Sequence, residues 1–286
     1  MLMSLRKIGV ILQSRLTMEG AGVRLHRVFG GSVRNTFDPF LLLDDFSDDN
    51  PSNLSPGFPW HPHRGIETIT YMISGNMVHE DSLGNKGNIC DGEIQWMTAG
   101  SGIKHQEMPG ELEEGKPVQG FQLWANLPKS HKMMDPRYRD VTTDQIPCEE
   151  VAKGVTAKII AGEINGIKGP VQDVVTKPIY VDISMDNNST FEYSVPEENT
   201  AVVYIFEGTA KFGINEKEVG SGNLVEFIVG DRIRIKTGSD SARMLFLSGN
   251  PIKEPVAWAG PIVMNTREEL ETAFREYRNG TFIKKK

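Results

Sequence analysis

The chain has 286 residues, of which 38% are hydrophobic and 24% are charged, and its formal net charge is −7. This length suffices for two domains of about 140 residues, each with its own core. Proteins that bind a phosphate backbone usually carry a basic face, so the acidic balance argues against direct nucleic-acid binding.

The cysteine content and the lack of long apolar runs indicate where the protein works. Cys90 and Cys148 are too few for a disulfide framework, which favours a reducing compartment. The sequence shows no apolar run near the ~18 residues of a membrane span and no signal-peptide pattern at its start. We therefore expect a soluble, monomeric, cytoplasmic protein without membrane contact, or a nuclear one if its source is eukaryotic.

Short runs of β-branched and aromatic residues, bounded by Gly, Pro, Asn and Asp, dominate the sequence and predict an all-β protein. The strands predicted in the first half run from Ile8 to Gln13, Gly22 to Phe29, His63 to Ser74, Cys90 to Met97 and Gln119 to Ala125. The polar segment from Lys129 to Gln145, with prolines nearby, is the predicted linker.

The second half repeats this style, with strands predicted from Ile179 to Ile183, Ala201 to Phe206 and Ala242 to Ser248. The weak repeat predicts two tandem β-barrels, residues 1–136 and residues 137–286. A helix from Thr266 to Arg278 closes the chain, because Thr266 and Glu269 form a capping box. Its apolar stripe predicts a packing helix that holds the domains together.

Two short polar runs carry the candidate chemistry. His61 and His63 are two residues apart, and so are His105 and Glu107. Side chains two apart on a strand point to the same face, so two such strands facing each other in a barrel would bring three imidazoles and one carboxylate together. All six histidines lie at or before position 131, which predicts that only the first barrel binds metal.

The four predicted ligands are typical of a transition-metal site. A lone inward histidine is more often a structural group, but two such pairs in one predicted barrel favour a metal. Three imidazoles and a carboxylate suit Fe, Ni, Cu, Mn, Co or Zn, and affinity order alone does not select iron. One or two positions would remain open, which is typical of a catalytic site.

The chain resembles the pirin family of the cupin superfamily over nearly its whole length, and three longer runs carry the resemblance. They are Gly57–Thr68 (GFPWHPHRGIET), Gln95–Pro109 (QWMTAGSGIKHQEMP) and Trp258–Thr266 (WAGPIVMNT). The resemblance implies two jelly-roll cupin domains with one iron, Fe(2+), in the amino-terminal domain and a carboxyl-terminal domain without metal. It places the family ligands on His61, His63, His105 and Glu107.

The resemblance also implies two functions. The first is a metal-dependent quercetin 2,3-dioxygenase that opens flavonols with O2 and releases CO, with Glu107 serving as ligand and as catalytic base for the flavonol 3-hydroxyl. The second is an iron-dependent regulatory protein that binds a protein partner, either in transcription or at a metabolic enzyme. A zinc-dependent sugar-phosphate isomerase ranks below both, since only Arg64 and Lys104 are basic near the site in sequence.

Three neighbours of the ligands are open to structural interpretations. Glu67 is expected either to accept a hydrogen bond from a ligand imidazole or to make an ordinary structural hydrogen bond. His79, Glu80 and Asp81 precede a turn and are expected to form a surface cluster. Arg64 is expected to pair with an acidic loop.

Overall fold

The computed structural model describes residues 4–111 and 117–284. Its regular structure consists mainly of antiparallel β-strands, which confirms the predicted all-β class. The strands of the first half are β1 (Lys7–Gln13), β2 (Arg15–Glu19), β3 (Val23–Phe29), β4 (Phe40–Asp45), β5 (Phe58–His63), β6 (Ile66–Ser74), β7 (Met77–Asp81), β8 (Lys86–Ile89), β9 (Ile94–Thr98), β10 (Ile103–Pro109), β11 (Gln119–Asn126) and β12 (Arg137–Val141).

The second half continues with strands and ends with an α-helix. Its elements are β13 (Cys148–Ala152), β14 (Val155–Ala161), β15 (Glu163–Ile164), β16 (Ile167–Lys168), β17 (Ile179–Met185), β18 (Thr190–Ser194), β19 (Thr200–Phe212), β20 (Lys217–Gly220), β21 (Asn223–Ile228), β22 (Arg232–Lys236), β23 (Ala242–Gly249), β24 (Ala257–Ala259), β25 (Ile262–Met264) and α1 (Arg267–Arg278). Single-turn 3-10 helices lie at Val33–Asn35, Pro51–Asn53 and Thr143–Gln145.

The chain forms two compact units, and each unit combines segments from distant parts of the sequence. The histidine unit contains Arg15–Thr143 and the chain from Ile252 onward, whereas the apolar unit contains Asp144–Pro251 and the chain up to Ser14. We predicted two domains that fold independently, with a boundary between residues 136 and 137. Compact units are not the same as independently folding domains, so this boundary stays a prediction.

The histidine unit consists of open sheets. A seven-stranded sheet has the order β12-β9-β6-β11-β4-β3-β2, and a four-stranded sheet has the order β5-β10-β7-β8. The first ends at β12 and β2 and the second at β5 and β8, so they are not the closed barrels that we predicted. A barrel requires the last strand to pair with the first in a fixed register, and these end strands do not pair.

The apolar unit contains a ten-stranded sheet and the short hairpin β15-β16. Alternate residues of β19 face its interior, where Ala201, Val203 and Ile205 join a large cluster of buried aliphatic and aromatic side chains. Val202 and Tyr204, which lie between them, are buried as well, so this part of β19 is covered on both faces, in keeping with its continuous run of β-branched and aromatic residues.

Two predicted segments differ in part from expectation. The predicted linker contains β12, which pairs with β9 of the histidine unit. The helix is confirmed, with Thr266 Oγ1 accepting from the Glu269 amide at 3.2 Å, but its residues belong to the histidine unit. Leu270 and Ala273 pack there with Ile262 and Phe282.

The helix α1 has 12 residues. Within residues 4–111 and 117–284, we found no helix with the length and apolar character that a bilayer crossing requires.

Candidate metal centre

Strands β5 and β10 bring the two predicted ligand pairs together. They are antiparallel neighbours in the four-stranded sheet, with His105 directly opposite His61 and Ile103 opposite His63. The prediction had the two strands facing each other across a barrel, whereas they lie side by side. Because residues two apart share a face of the sheet, this register places three imidazoles on one side.

The three imidazoles converge on one point. The Nε2 atom of His61 lies 3.0 Å from Nε2 of His63 and 2.9 Å from Nε2 of His105. One nitrogen from each of the three rings lies within 4.8 Å of the other two. Two nitrogen ligands at right angles, each about 2.1 Å from one ion, would lie about 3.0 Å apart, so the observed spacing fits shared coordination.

The second ring nitrogens orient two of these histidines. Nδ1 of His61 donates to the carbonyl of Pro59 at 2.9 Å, and Nδ1 of His63 donates to the carbonyl of Pro261 at 2.9 Å. A neutral imidazole has one N–H, so both Nε2 atoms then carry lone pairs. Two lone pairs 3.0 Å apart repel each other unless a cation lies between them. The donor set therefore fits a metal ion.

Burial keeps the imidazoles neutral. It lowers the pKa of His61, and it lowers the pKa values of His63 and His105 well below the ordinary value, with further repulsion from the neighbouring imidazoles. His63 and His105 are each only 1% exposed. Neutral imidazoles have the free lone pair that metal binding requires, so the cluster is ready to bind a transition ion near neutral pH.

Glu107 lies in the same cavity as His61 and His63, outside the group of three close nitrogens. Its Oε1 accepts a hydrogen bond from the Thr70 hydroxyl at 2.7 Å. Burial raises the pKa of the Glu107 carboxyl to about 7, although the bond from Thr70 acts in the opposite direction. A carboxyl group with this pKa can accept or release a proton near neutral pH. Its role as fourth ligand stays a prediction.

The donors open into a cavity of about 800 Å³. Phe58, Trp124 and Trp258 contribute aromatic walls, and the Trp124 ring packs edge-on against His63 at 4.9 Å between ring centres. Clefts of this size with apolar walls and a few polar groups are typical of small-molecule sites.

The carboxyl-terminal segment supports the ligand strand, which the sequence did not indicate. Besides the Pro261 carbonyl, it provides two of the three hydrogen-bond partners of buried Arg64, which follows His63, and the third is the Ser101 carbonyl. Arg64 donates to Glu276 on α1 at 2.8 Å and to the Phe282 carbonyl at 2.8 Å. The predicted ion pair exists, but its acidic partner lies on the helix and not in a loop.

Two other expectations were tested by the structure. Oε1 of Glu67 accepts from the Thr98 hydroxyl at 2.7 Å, which supports the structural alternative for this residue. The predicted surface cluster is wrong, because His79 and Asp81 are only 1% and 4% exposed. The His79 ring stacks on Tyr138, and β7 pairs with β10, so this segment lies inside the sheet.

Comparisons with known proteins agree with this architecture. Residues 22–125 match the family model described as Pirin, and residues 180–283 match that described as Pirin C-terminal cupin domain. The chain is 43% identical over 281 residues to the pirin-like protein of Caulobacter vibrioides, covering 98% of this chain and 100% of that one. It is 36% identical over 280 residues to the pirin of Homo sapiens, covering 96% and 93% of the two chains.

A solved structure shows the same fold. The crystal structure of quercetin 2,3-dioxygenase from Acinetobacter baumannii superimposes with a TM-score of 0.89 and 28% identity, and the match covers 98% of this chain and 99% of that one. Taken with the paired histidines and the two β-sheet units, these matches show that the chain belongs to the pirin family of the cupin superfamily.

Proposed function

We propose that this protein is a metal-dependent dioxygenase that opens flavonols such as quercetin with O2 and releases CO. The observation that carries the proposal is the convergence of three neutral imidazoles, two of which line a cavity of about 800 Å³. The Acinetobacter baumannii relative that bears the name quercetin 2,3-dioxygenase supports the choice of substrate.

His61, His63, His105 and Glu107 would hold the ion, and iron is our choice from the family resemblance. A bound ferrous ion would supply a Lewis acid that lowers the pKa of a flavonol hydroxyl. The carbonyls of Pro59 and Pro261 fix the rings of His61 and His63, which keeps the Nε2 atoms directed at one point.

Glu107 would take the proton of the flavonol 3-hydroxyl. Thr70 donates to one carboxylate oxygen of Glu107, and Glu107 lines the cavity in which the substrate would lie. Burial raises the pKa of this carboxyl above its ordinary value, which makes it a stronger proton acceptor than an exposed carboxylate. The aromatic walls exclude water from the reacting ring and offer stacking surfaces for a flat substrate.

The proposal is tested with iron-loaded protein, quercetin and O2. We expect loss of the quercetin absorbance with uptake of about one O2 and release of about one CO for each flavonol, which is the stoichiometry of the proposed ring opening. Glu107→Gln keeps the size of the side chain and removes the base, so we expect turnover to fall by at least about 100-fold. Glu80→Gln, in neighbouring β7, is the matched control.

Unchanged turnover by Glu107→Gln would remove this residue from the mechanism, and absence of turnover by the iron-loaded protein would contradict the proposed function. The regulatory protein partner, the monomeric state and the cytoplasmic or nuclear location stay predictions.

A further inference from the structure

The cavity is lined by a second set of polar residues that the proposed chemistry does not use. Its lining includes His61, His63 and Glu107 of the candidate metal centre, and it also includes Arg27, Asp44 and Glu19. The wall also includes apolar side chains, namely Leu25, Leu42, Phe46, Phe58, Met77, Trp124 and Trp258. A ligand that fills this cavity therefore meets polar groups at two places with apolar surface around them.

The sheet register gives the spacing between the two sets of polar residues. Asp44 on β4 is opposite Gln122 on β11, and Gln122 is opposite Thr70 on β6. Neighbouring strands are about 4.8 Å apart, so Asp44 lies about 10 Å from Thr70, whose hydroxyl donates to Glu107. A molecule of several aromatic rings can bridge such a distance.

Asp44 is held rigidly and still has acceptor capacity. The Arg27 guanidinium donates to both of its carboxylate oxygens, at 2.9 and 2.8 Å, and Asp44 is 5% exposed. A carboxylate offers about four lone-pair positions, and the bidentate pair uses two of them. The remaining positions can accept a hydrogen bond from a group in the cavity.

The charges around Asp44 determine which kind of ligand group can bind there. Nη1 of Arg27 pairs with Glu19 at 2.9 Å, so two carboxylates share one guanidinium. Arg27, Asp44 and Glu19 together carry one positive and two negative charges. Their net negative charge repels an anion and favours a neutral hydrogen-bond donor. A phenolic hydroxyl is such a donor, whereas a carboxylate or phosphate is not.

We propose that Asp44 is a specificity residue that accepts a hydrogen bond from a flavonol hydroxyl remote from the metal-binding 3-hydroxyl. The site would thereby prefer polyhydroxylated flavonols over flavonols with unsubstituted outer rings. This inference rests on the proposed function and adds to it the substituent pattern of the substrate.

The test measures binding of two flavonols to the iron-loaded protein without O2, so that no turnover occurs. Quercetin carries outer hydroxyls, and 3-hydroxyflavone keeps only the metal-binding group. Quenching of the fluorescence of Trp124 and Trp258, which line the cavity, reports the dissociation constants. We expect quercetin to bind at least about tenfold more tightly than 3-hydroxyflavone, because only quercetin can donate a hydrogen bond to the charged carboxylate of Asp44.

In Asp44→Asn we expect this preference to fall to within about threefold, because the charged acceptor is lost. The matched control is Asp182→Asn in the apolar unit, which breaks a similar bidentate pair with Arg243 and should keep the full preference. A second measurement needs no variant: quercetin methylated at every hydroxyl except the 3-hydroxyl should bind the unmodified protein as weakly as 3-hydroxyflavone.

The outcomes separate the two proposals. If both flavonols bind equally, or if Asp44→Asn keeps the preference, the role of Asp44 is overturned while the proposed function stands. If neither flavonol binds, the proposed function is overturned and the role of Asp44 with it.

Discussion

The two units of this protein are built from similar antiparallel sheets but differ in what occupies their interiors. In the apolar unit, buried aliphatic and aromatic side chains form a large cluster that includes Val203, Phe212 and Phe246. In the histidine unit, the buried apolar side chains are divided into smaller clusters, and a cavity of about 800 Å³ reaches the candidate metal centre. The comparison indicates that the interior of the apolar unit is filled with packed side chains, whereas part of the interior of the histidine unit is an open cavity beside a binding site.

The largest effect should come from a ligand histidine. His105→Ala removes one of three converging imidazoles, and we expect iron affinity to fall by more than about 100-fold, since loss of outer partners alone costs about 10–100-fold. The measurement is metal content per chain after anaerobic loading with ferrous salt and desalting. His131→Ala changes an exposed histidine of the same unit and serves as control. Full iron content in His105→Ala would refute this centre.

The next comparison tests the packing difference with one kind of substitution in each unit. Phe246→Ala in the apolar cluster should lower the free energy of unfolding by about 3–5 kcal/mol, because it leaves an enclosed void. Phe46→Ala, in the cavity wall, should cost about 2 kcal/mol, because the vacated space joins an existing cavity. Urea unfolding measures both values. Equal losses would contradict the proposed difference between the interiors.

The last prediction concerns Lys132, whose amino group is buried in the histidine unit. It donates to the carbonyls of Gly65 and Val263 and to Asn126. Burial lowers the pKa of Lys132 to about 7, against the opposing influence of Glu254 and Glu269. Between about pH 7 and pH 10 the unfolded chain therefore binds more protons than the folded chain, and this group makes stability rise with pH by up to about 1.4 kcal/mol per unit.

Lys132→Met should remove that increase, whereas Lys168→Met, at an exposed position of the apolar unit, should leave it in place. Urea unfolding at pH 7.5 and pH 9.5 compares the variants. A pH dependence that is the same in Lys132→Met and the unsubstituted protein would assign the effect to other groups.

The sequence predicted those parts of the site that depend on local geometry. The spacing of His61 and His63, and that of His105 and Glu107, fixes which side chains share a face once the segments are strands. The capping box also depends only on two residues close in sequence, Thr266 and Glu269, and it is present in the structure. The strand class followed from short β-branched runs in the same way.

Other parts depend on which distant segments become neighbours, and no local pattern encodes that choice. The carbonyl that accepts from His63 belongs to Pro261, 198 residues away. Arg27 and Asp44 form their pair through the register of β3 and β4, which contains an irregularity between Arg27 and Phe29. His79 was expected on the surface because a turn follows it, but the pairing of β7 between β10 and β8 buries it.

The division of the histidine unit between two distant stretches of chain affects the order of events during biosynthesis. The ribosome delivers His61, His63 and His105 early, but the carbonyl of Pro261 and the carboxylate of Glu276 that steady this strand emerge more than 150 residues after His105. A nascent chain therefore holds its three imidazoles without their final supports while the segment Asp144–Pro251 of the apolar unit is synthesised. We therefore expect a protein shortened before residue 252 to bind metal more weakly than the full chain.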